Sequence, residues 1–168
     1  MSACRHQDSA QPSDCTARYG PPLPPDIAQG LTPDLSAGLG EKTLLRHALA
    51  EAGCGPELCQ RLMEQHWNRA DHRLWLRDNG GAAALLWLCR GHRHPDAAAV
   101  GLVLLAWVRA DRRRQGLASH LLGQALGWCR LQQLVELRAQ ALASNPVAQT
   151  FWQASGAHLV AHAFSIPA

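Results

Sequence analysis

The chain has 168 residues, of which 47% are apolar and 17% charged, enough apolar chain to bury the core of one domain. Its net charge of +3 is too small to indicate a nucleic-acid-binding surface. All of the 16 basic side chains except Lys42 are Arg. The planar guanidinium of Arg suits phosphate and carboxylate partners, so the positions of these residues matter more than their number.

Neither a membrane segment nor a secretory signal is predicted. The longest strongly apolar run, 97–108, is too short to cross a bilayer as a helix, and the first ten residues lack the apolar stretch of a signal peptide. The six Cys residues form no CxxC pair, and His92 and His94 lack a third ligand nearby, so no metal site is predicted. We therefore expect reduced thiols and a cytoplasmic protein without nucleic-acid or membrane partners.

Residues 1–40 differ in composition from the rest of the chain. They hold six of the ten Pro residues, and Pro fixes φ and removes a backbone donor, which favours extended conformations. We predict a flexible, Pro-rich leader over 1–40, in which 15–19 could form a short first strand and Asp26 could cap a short helix. A folded domain is predicted over 41–168.

The first half of that domain is predicted to contain two helices and three strands. Apolar residues recur at helical spacing between Glu41 and Trp67, with a break at 53–56 that divides the segment into two helices. Strands are predicted over 73–77 and 83–89, joined by a tight turn at 78–81 because Asn-Gly readily adopts positive φ. The almost continuous apolar run 98–108 is typical of a central strand covered on both faces.

The second half alternates helices and strands. A helix is predicted over 116–129 and a strand over 134–139. A second helix begins at Asn145-Pro146, because Asn caps helices well and Pro fits the first turn, and ends near Gly156. Residues 158–166 are predicted to form a last strand. This order of elements indicates an α/β fold.

The segment 108–118 carries the clearest chemical signal. A buried strand ends, a loop with Arg112, Arg113 and Arg114 follows, and a helix starts. Free N–H groups and the helix dipole attract anions at such a point, and Gly116 allows the backbone to approach a phosphate closely. The alternative is that the three Arg residues form only a solvated turn. The spacing predicts a di- or polyphosphate site, and it matches neither a Walker loop nor the GxGxxG dinucleotide fingerprint.

Two motifs in this order resemble those of one family. Arg113-x-x-Gly116-x-Ala118 resembles the R/Q-x-x-G-x-G/A motif of the GNAT superfamily of acyl-CoA-dependent N-acyltransferases, and 108–111 is similar to the end of that family's fourth strand. The segment from Asn145 to Ala157 is similar to its N-x-x-A-x-x-F/L-Y-x-x-x-G-F motif. The resemblance covers about 72–160.

The resemblance implies a mixed, mostly antiparallel central sheet flanked by helices. Few residues follow Gly156, so the C-terminal sheet is expected to be abbreviated or completed by another subunit, which would make a homodimer. The implied activity is transfer of an acetyl group from acetyl-CoA to a primary amine of a small molecule or a protein. The amine would attack the thioester directly in a ternary complex, without a metal.

The resemblance also implies which residues bind the cofactor. Backbone groups on the strand would pair with the pantetheine arm, as an added strand does, and these belong to Ala106, Trp107 and Val108. Asn145 would contact the same arm from the next helix. The pyrophosphate would be wrapped by Arg113, Arg114, Gln115, Gly116, Leu117, Ala118 and Ser119.

The catalytic groups depart from the family's pattern. The family's general-acid Tyr falls at Trp152, whose indole N–H cannot give up a proton at neutral pH. Ser155, Cys129 or water could protonate the leaving thiolate, although a CoA thiol is acidic enough to leave unaided. The strand 98–108 carries no carboxylate, so a base would come from elsewhere. The candidates are Glu136, Asp71, His72 and His92.

Two alternatives to a small-molecule acetyltransferase remain open. The missing Tyr and the short C-terminus favour a non-catalytic CoA-binding or interaction protein with a degenerate fold. A Pro-rich arm that recruits a partner favours a protein N-acetyltransferase.

Overall fold

The computed structural model of the chain describes residue 23 and residues 25–28, 31–34, 41–67 and 72–160. Over residues 41–154 the elements follow the predicted order of a helix pair, three strands, a helix, a strand and a helix. In chain order the elements are α1 (Pro25–Ala28), β1 (Thr32–Asp34), α2 (Glu41–Glu51), α3 (Pro56–His66), β2 (His72–Asp78), β3 (Gly81–His92), β4 (Ala99–Val108), a 3-10 turn (Ala110–Arg112), α4 (Leu117–Leu131), β5 (Leu137–Ala139) and α5 (Pro146–Ala154).

The strands form one sheet in the order β1-β2-β3-β4-β5. The first three pairings are antiparallel, and β4 pairs with β5 in parallel through the connection that contains α4. The predicted mixed, mostly antiparallel sheet flanked by helices is therefore confirmed. The apolar run of β4 lies between two neighbouring strands, as predicted from its continuity.

The β2–β3 hairpin forms at the predicted place but with a different turn. Asp78 pairs with Gly81, and the positive φ of 102° lies at Gly81 rather than within the Asn79–Gly80 dipeptide. The prediction of a primed turn was therefore wrong in its backbone angles. Instead, the carboxylate of Asp78 accepts a hydrogen bond from the N–H of Gly80 at 2.9 Å and holds the turn locally.

Each face of the sheet buries its own apolar cluster. On one face α2 and α3 cover the three central indoles of Trp75, Trp87 and Trp107, which are core residues. On the other face α4 packs Leu117 and Leu121 against β2 and β3. The alternation of side chains along the strands feeds both clusters.

Part of the range predicted as a leader contacts the domain. Strand β1 pairs with β2 at one edge of the sheet, and Leu23, Ile27 and Leu31 pack against the cluster under α4. The strand considered over 15–19 lies outside the described residues. None of the helices within the described ranges has the length and apolar content needed to span a bilayer.

The C-terminal part of the sheet is short in the described residues. Strand β5 covers 137–139, less than the predicted 134–139, because Val135 and Glu136 contact β4 only through single hydrogen bonds with Ala99 and Gly101. Of the strand predicted over 158–166, residues 158–160 are not in a strand, and 161–166 lie outside the described residues.

Candidate functional site

A slot opens where β4 and β5 part. The two strands pair only between residues 101–103 and 137–139, and beyond Val103 no described residue pairs with that side of β4. A β-bulge lies at the same point, because Trp87 pairs with Leu105 and Leu88 with Val103, which leaves Leu104 as an extra residue. The second half of β4 therefore borders an open cleft.

The register shows which backbone groups face this cleft. The N–H of Arg109 donates to the carbonyl of Ala83, and antiparallel pairs alternate between bonded and non-bonded positions. Leu105 and Trp107 therefore turn their backbone groups toward β3, whereas Ala106 and Val108 turn theirs toward the slot. Of the three backbone positions predicted for pantetheine, the structure brings Ala106 and Val108 to the slot edge and directs the third, Trp107, to the neighbouring strand.

The loop after β4 has the geometry of an anion site. Arg114 and Gly116 both have positive φ, of 60° and 79°, so successive N–H groups can converge on one side of the loop. Helix α4 begins at Leu117, and its first internal bond runs from His120 to the carbonyl of Gly116. The N–H groups of Leu117, Ala118 and Ser119 thus have no partner within the helix.

The three consecutive Arg residues divide into two kinds. Arg112 forms an ion pair with Asp78 at 2.7 Å, so its charge is already compensated. Arg113 and Arg114 are exposed, and the Nε of Arg113 donates to the carbonyl of Val108 at 3.0 Å. The uncompensated charge at the loop therefore belongs to Arg113 and Arg114, whereas the sequence suggested all three.

Helix α5 begins at Pro146, with Asn145 at its N-cap. Its side-chain oxygen accepts from the N–H of Ala148 at 3.0 Å, which is the predicted N-cap. The side-chain NH2 of Asn145 remains as a donor. The side-chain NH2 of Gln149 donates hydrogen bonds to the carbonyls of Leu142 and Ala143 in the preceding loop.

The predicted acid candidates have other contacts. Trp152 is half-buried and packs edge-to-face on Phe151, with ring centroids 5.0 Å apart. The hydroxyl of Ser155 donates to the carbonyl of Phe151 at 2.8 Å, so it closes the helix end. Burial raises the pKa of the Cys129 thiol, which keeps it protonated on the inner side of α4.

Two of the four predicted base candidates, Glu136 and His72, have other contacts as well. Glu136 contacts Arg138 at 2.6 Å and Arg93 at 3.5 Å. Its carbonyl accepts from Gly101, which places it before the point where the strands part. His72 stacks on an indole of α4, and burial lowers the pKa of its imidazole. His92 is exposed at the end of β3, and Asp71 lies outside the described residues.

One carboxylate that sequence reasoning missed contacts the second half of β4. Glu51, at the end of α2, accepts a hydrogen bond from the indole N–H of Trp107 and lies 3.6 Å from the imidazole of His47. The end of α2 lies beside the loop after β5, since a Cβ built on Gly53 would be 4.0 Å from the side chain of Leu142. Glu51 and Trp107 are 56 residues apart, and no sequence pattern links them.

The described residues contain no group of three or more His, Cys, Asp or Glu residues that could hold a metal ion. The site consists of a backbone edge, a loop with two guanidinium groups that form no ion pair among the described residues, and the carboxylate of Glu51 on the α2 face. Such an arrangement suits an extended amide-bearing ligand that ends in phosphates.

Comparison with known families and structures gives a consistent result. Residues 44–157 match the model of the Acetyltransferase (GNAT) family. No curated protein matches the chain.

Several solved structures share the fold at low identity. A chain from Pyrococcus furiosus has a TM-score of 0.70 and 17% identity, over 82% of this chain and 99% of that one. Aminoglycoside N-acetyltransferase AAC(6')-Iy in complex with CoA has a TM-score of 0.65 and 15% identity, over 83% and 96%. Ribosomal-protein-alanine N-acetyltransferase from Brucella melitensis biovar Abortus 2308 has a TM-score of 0.64 and 15% identity, over 82% and 98%.

Proposed function

The chain belongs to the GNAT acetyltransferase family, and from this we propose that it transfers an acetyl group from acetyl-CoA to a primary amine. One observation carries the proposal. No strand of the described residues pairs with the edge of β4 at Ala106 and Val108, where the Val108 carbonyl accepts only from Arg113 Nε. This edge leads directly into the loop at 113–119, so one continuous surface offers amide partners and then an anion site. Pantetheine followed by pyrophosphate has the same order of groups.

The cofactor is held mainly by backbone groups in this proposal. Ala106 and Val108 pair with the amides of the pantetheine arm, and Asn145 reaches it from α5 with its side-chain NH2. The pyrophosphate lies at the start of α4, where backbone N–H groups and the exposed guanidinium groups of Arg113 and Arg114 surround it. The residues proposed for the phosphates are Arg113, Arg114, Gln115, Gly116, Leu117, Ala118 and Ser119.

The reaction is direct transfer in a ternary complex. The neutral amine attacks the thioester carbon, the C–N bond forms, the C–S bond breaks, and the electron pair leaves on the CoA sulfur. The nitrogen then loses one proton to solvent, and the thiolate takes up a proton to give the CoA thiol. A backbone N–H on the slot edge polarises the carbonyl, and positioning supplies most of the acceleration. An ordinary thiol has a pKa of about 8.5, so the thiolate can leave without a dedicated acid. The Trp at position 152 is therefore compatible with turnover.

The acceptor reaches the thioester from the face opposite the phosphates. The anion site lies at the start of α4, on one face of the sheet, which leaves the slot open beside the end of α2 on the other. The carboxylate of Glu51 stands at that opening and attracts a cationic amine. We infer that amines carrying positive charge are preferred over anionic acceptors.

Two measurements test the proposed function. Acetyl-CoA should raise the melting temperature, since a ligand at ten times its Kd adds about 1.4 kcal/mol to the free energy of unfolding. Release of free thiol across a panel of primary amines should then identify acceptors. Absence of stabilisation by acetyl-CoA and by other acyl-CoAs would contradict the proposal.

A second candidate function is CoA binding without catalysis. It is favoured by the indole at position 152 and by the engagement of Ser155 and Glu136 in other contacts. Stabilisation by acetyl-CoA, with no thiol released in the presence of any amine, would select this alternative.

A further inference from the structure

A buried carboxylate joins the β2–β3 hairpin to the segment just before the anion loop. The side chain of Asp78 is 5% exposed and receives two arginines from the end of β4. Arg109 donates to both of its oxygens, at 3.1 and 2.7 Å, and Arg112 donates from Nε at 2.9 Å. We call Asp78, Arg109 and Arg112 the Asp78 clamp.

The 3-10 turn explains how two arginines reach one carboxylate. With three residues per turn, side chains at positions i and i+3 lie on the same side. Arg109 precedes the turn and Arg112 ends it, and the N–H of Arg112 donates to the carbonyl of Arg109 at 2.9 Å. Both guanidinium groups therefore point toward the hairpin, away from the direction in which the loop continues.

Arg109 has no donor left for any other ligand. Its five N–H groups are matched by five hydrogen bonds, two to Asp78, two to Asp111 and one to the carbonyl of Ala82. The hydrogen bonds from Arg109 and Arg112 hold the pKa of the Asp78 carboxyl well below its usual range, although its burial opposes this. The clamp is thus fully ionised at neutral pH.

The hairpin turn leaves room for the Asp78 clamp because residue 80 is Gly. A Cβ on Gly80 would lie 3.2 Å from the Oδ1 of Asp78 and 3.4 Å from the Nη1 of Arg109. A side chain at position 80 would therefore press on the ion pair. The same carboxylate oxygen also receives the N–H of Gly80, so the turn and the clamp share one acceptor.

We propose that Asp78 is a positioning residue for the phosphates of acyl-CoA, because the Asp78 clamp fixes the start of the loop whose N–H groups bind them. The proposal rests on the proposed function. The clamp anchors the chain at Arg112, one residue before the loop at 113–116 takes its positive φ angles. Together with Asp111, which pairs with Arg109, it also compensates both positive charges, so that Arg113 and Arg114 alone meet the ligand.

The Asp78→Asn variant separates positioning from simple electrostatics. Loss of a negative charge beside an anion site should by charge alone tighten the binding of acetyl-CoA. Positioning predicts the opposite, a rise in the KM for acetyl-CoA of about tenfold with kcat changed less than about twofold, since the thioester lies outside the loop. The matched control is Asp96→Asn, which breaks the exposed pair with Arg93 in the β3–β4 loop and should leave both constants unchanged.

A truncated substrate distinguishes positioning from general damage to the fold. S-acetylpantetheine has the thioester and the amide arm but no pyrophosphate, so its KM should be the same in Asp78→Asn and in the wild type. A proportional loss with both substrates, or binding of acetyl-CoA as tight as in the wild type, would overturn the proposal.

A second variant covers the case in which Asp78→Asn does not fold. Arg109→Lys keeps the charge but loses the forked geometry, and Arg109 has no donor to spare for phosphate. A rise in the KM for acetyl-CoA, without a rise for S-acetylpantetheine, would therefore support positioning, and an unchanged KM would refute it. If the wild type neither binds acetyl-CoA nor releases thiol, the proposed function fails instead.

Discussion

Gly116 offers the sharpest test of where the phosphates lie. Its φ of 79° is in the left-handed region, and a Cβ built there would meet nothing within 4 Å. The Gly116→Ala variant therefore introduces no clash within the protein. Its cost is conformational, about 1–2 kcal/mol for a residue with a side chain in this region. For a chain of this length that corresponds to a fall in melting temperature of about 2–8 °C.

The effect on acetyl-CoA should exceed this loss of stability. The open space above Gly116 is where the pyrophosphate is proposed to lie, so the added methyl group would obstruct it and raise the Kd about tenfold or more. At an acetyl-CoA concentration 100 times the wild-type Kd, the wild type gains about 2.7 kcal/mol from the ligand. A variant with a tenfold higher Kd gains only about 1.4 kcal/mol at that concentration.

Gly156 provides a matched control on the same chain. It has a φ of 84° and also no atom within 4 Å of a Cβ, but it follows α5 instead of preceding α4. Gly156→Ala should lose similar stability and keep the full gain from acetyl-CoA, as measured by thermal melts with and without ligand. Equal ligand gains in the two variants would refute the placement of the phosphates at Gly116.

Four further predictions concern charge, the acceptor, the indole and pH. Arg113→Glu should weaken acetyl-CoA binding at least about tenfold at low salt and less at high salt, because exposed charges are screened; calorimetric titration at two salt concentrations measures this. Glu51→Gln keeps an acceptor for the indole N–H but loses the negative charge. The KM for a cationic amine should therefore rise about tenfold, while the KM for acetyl-CoA stays constant. The control is Glu57→Gln, at an exposed position, which should change neither KM. Trp152→Phe should keep acetyl-CoA binding, and thiol release at full wild-type rate would show that this indole only packs. The pKa of Asp78 is lowered in the folded state, so its contribution to the free energy of unfolding is complete above the unfolded pKa of about 3.9 and is lost as the pH falls below that value. In denaturant melts, the difference in stability between the wild type and Asp78→Asn should therefore be constant above about pH 5 and shrink toward about pH 2.

Local patterns were sufficient to predict most of the elements. The helix pair between Glu41 and Trp67, the hairpin at 78–81 and the cap at Asn145 all depend on neighbouring residues, and the structure has them. The turn angles were misassigned because Asn-Gly is only a statistical signal, and the carboxylate of Asp78 holds a different turn.

The candidate site was only partly predictable. The loop with Gly116 is contiguous in sequence, so its anion-binding geometry follows from the strand, the glycine and the helix start. Which of the three consecutive Arg residues forms an ion pair could not be predicted, because the partner of Arg112 lies 34 residues earlier in the chain. The same holds for Glu51, which the folded chain alone brings to Trp107.

The extra residue in β4 changes which apolar cluster a given side chain of the strand joins. Gly101 and Val103 face α4, whereas Leu105 and Trp107 face α2, although all four positions are odd-numbered. Leu104 shifts the two-residue period by one, so the strand changes phase midway and supplies both cores in turn. If Leu104 paired as a regular strand residue instead of forming the bulge, every side chain after it would exchange faces, and Trp107 would point toward α4.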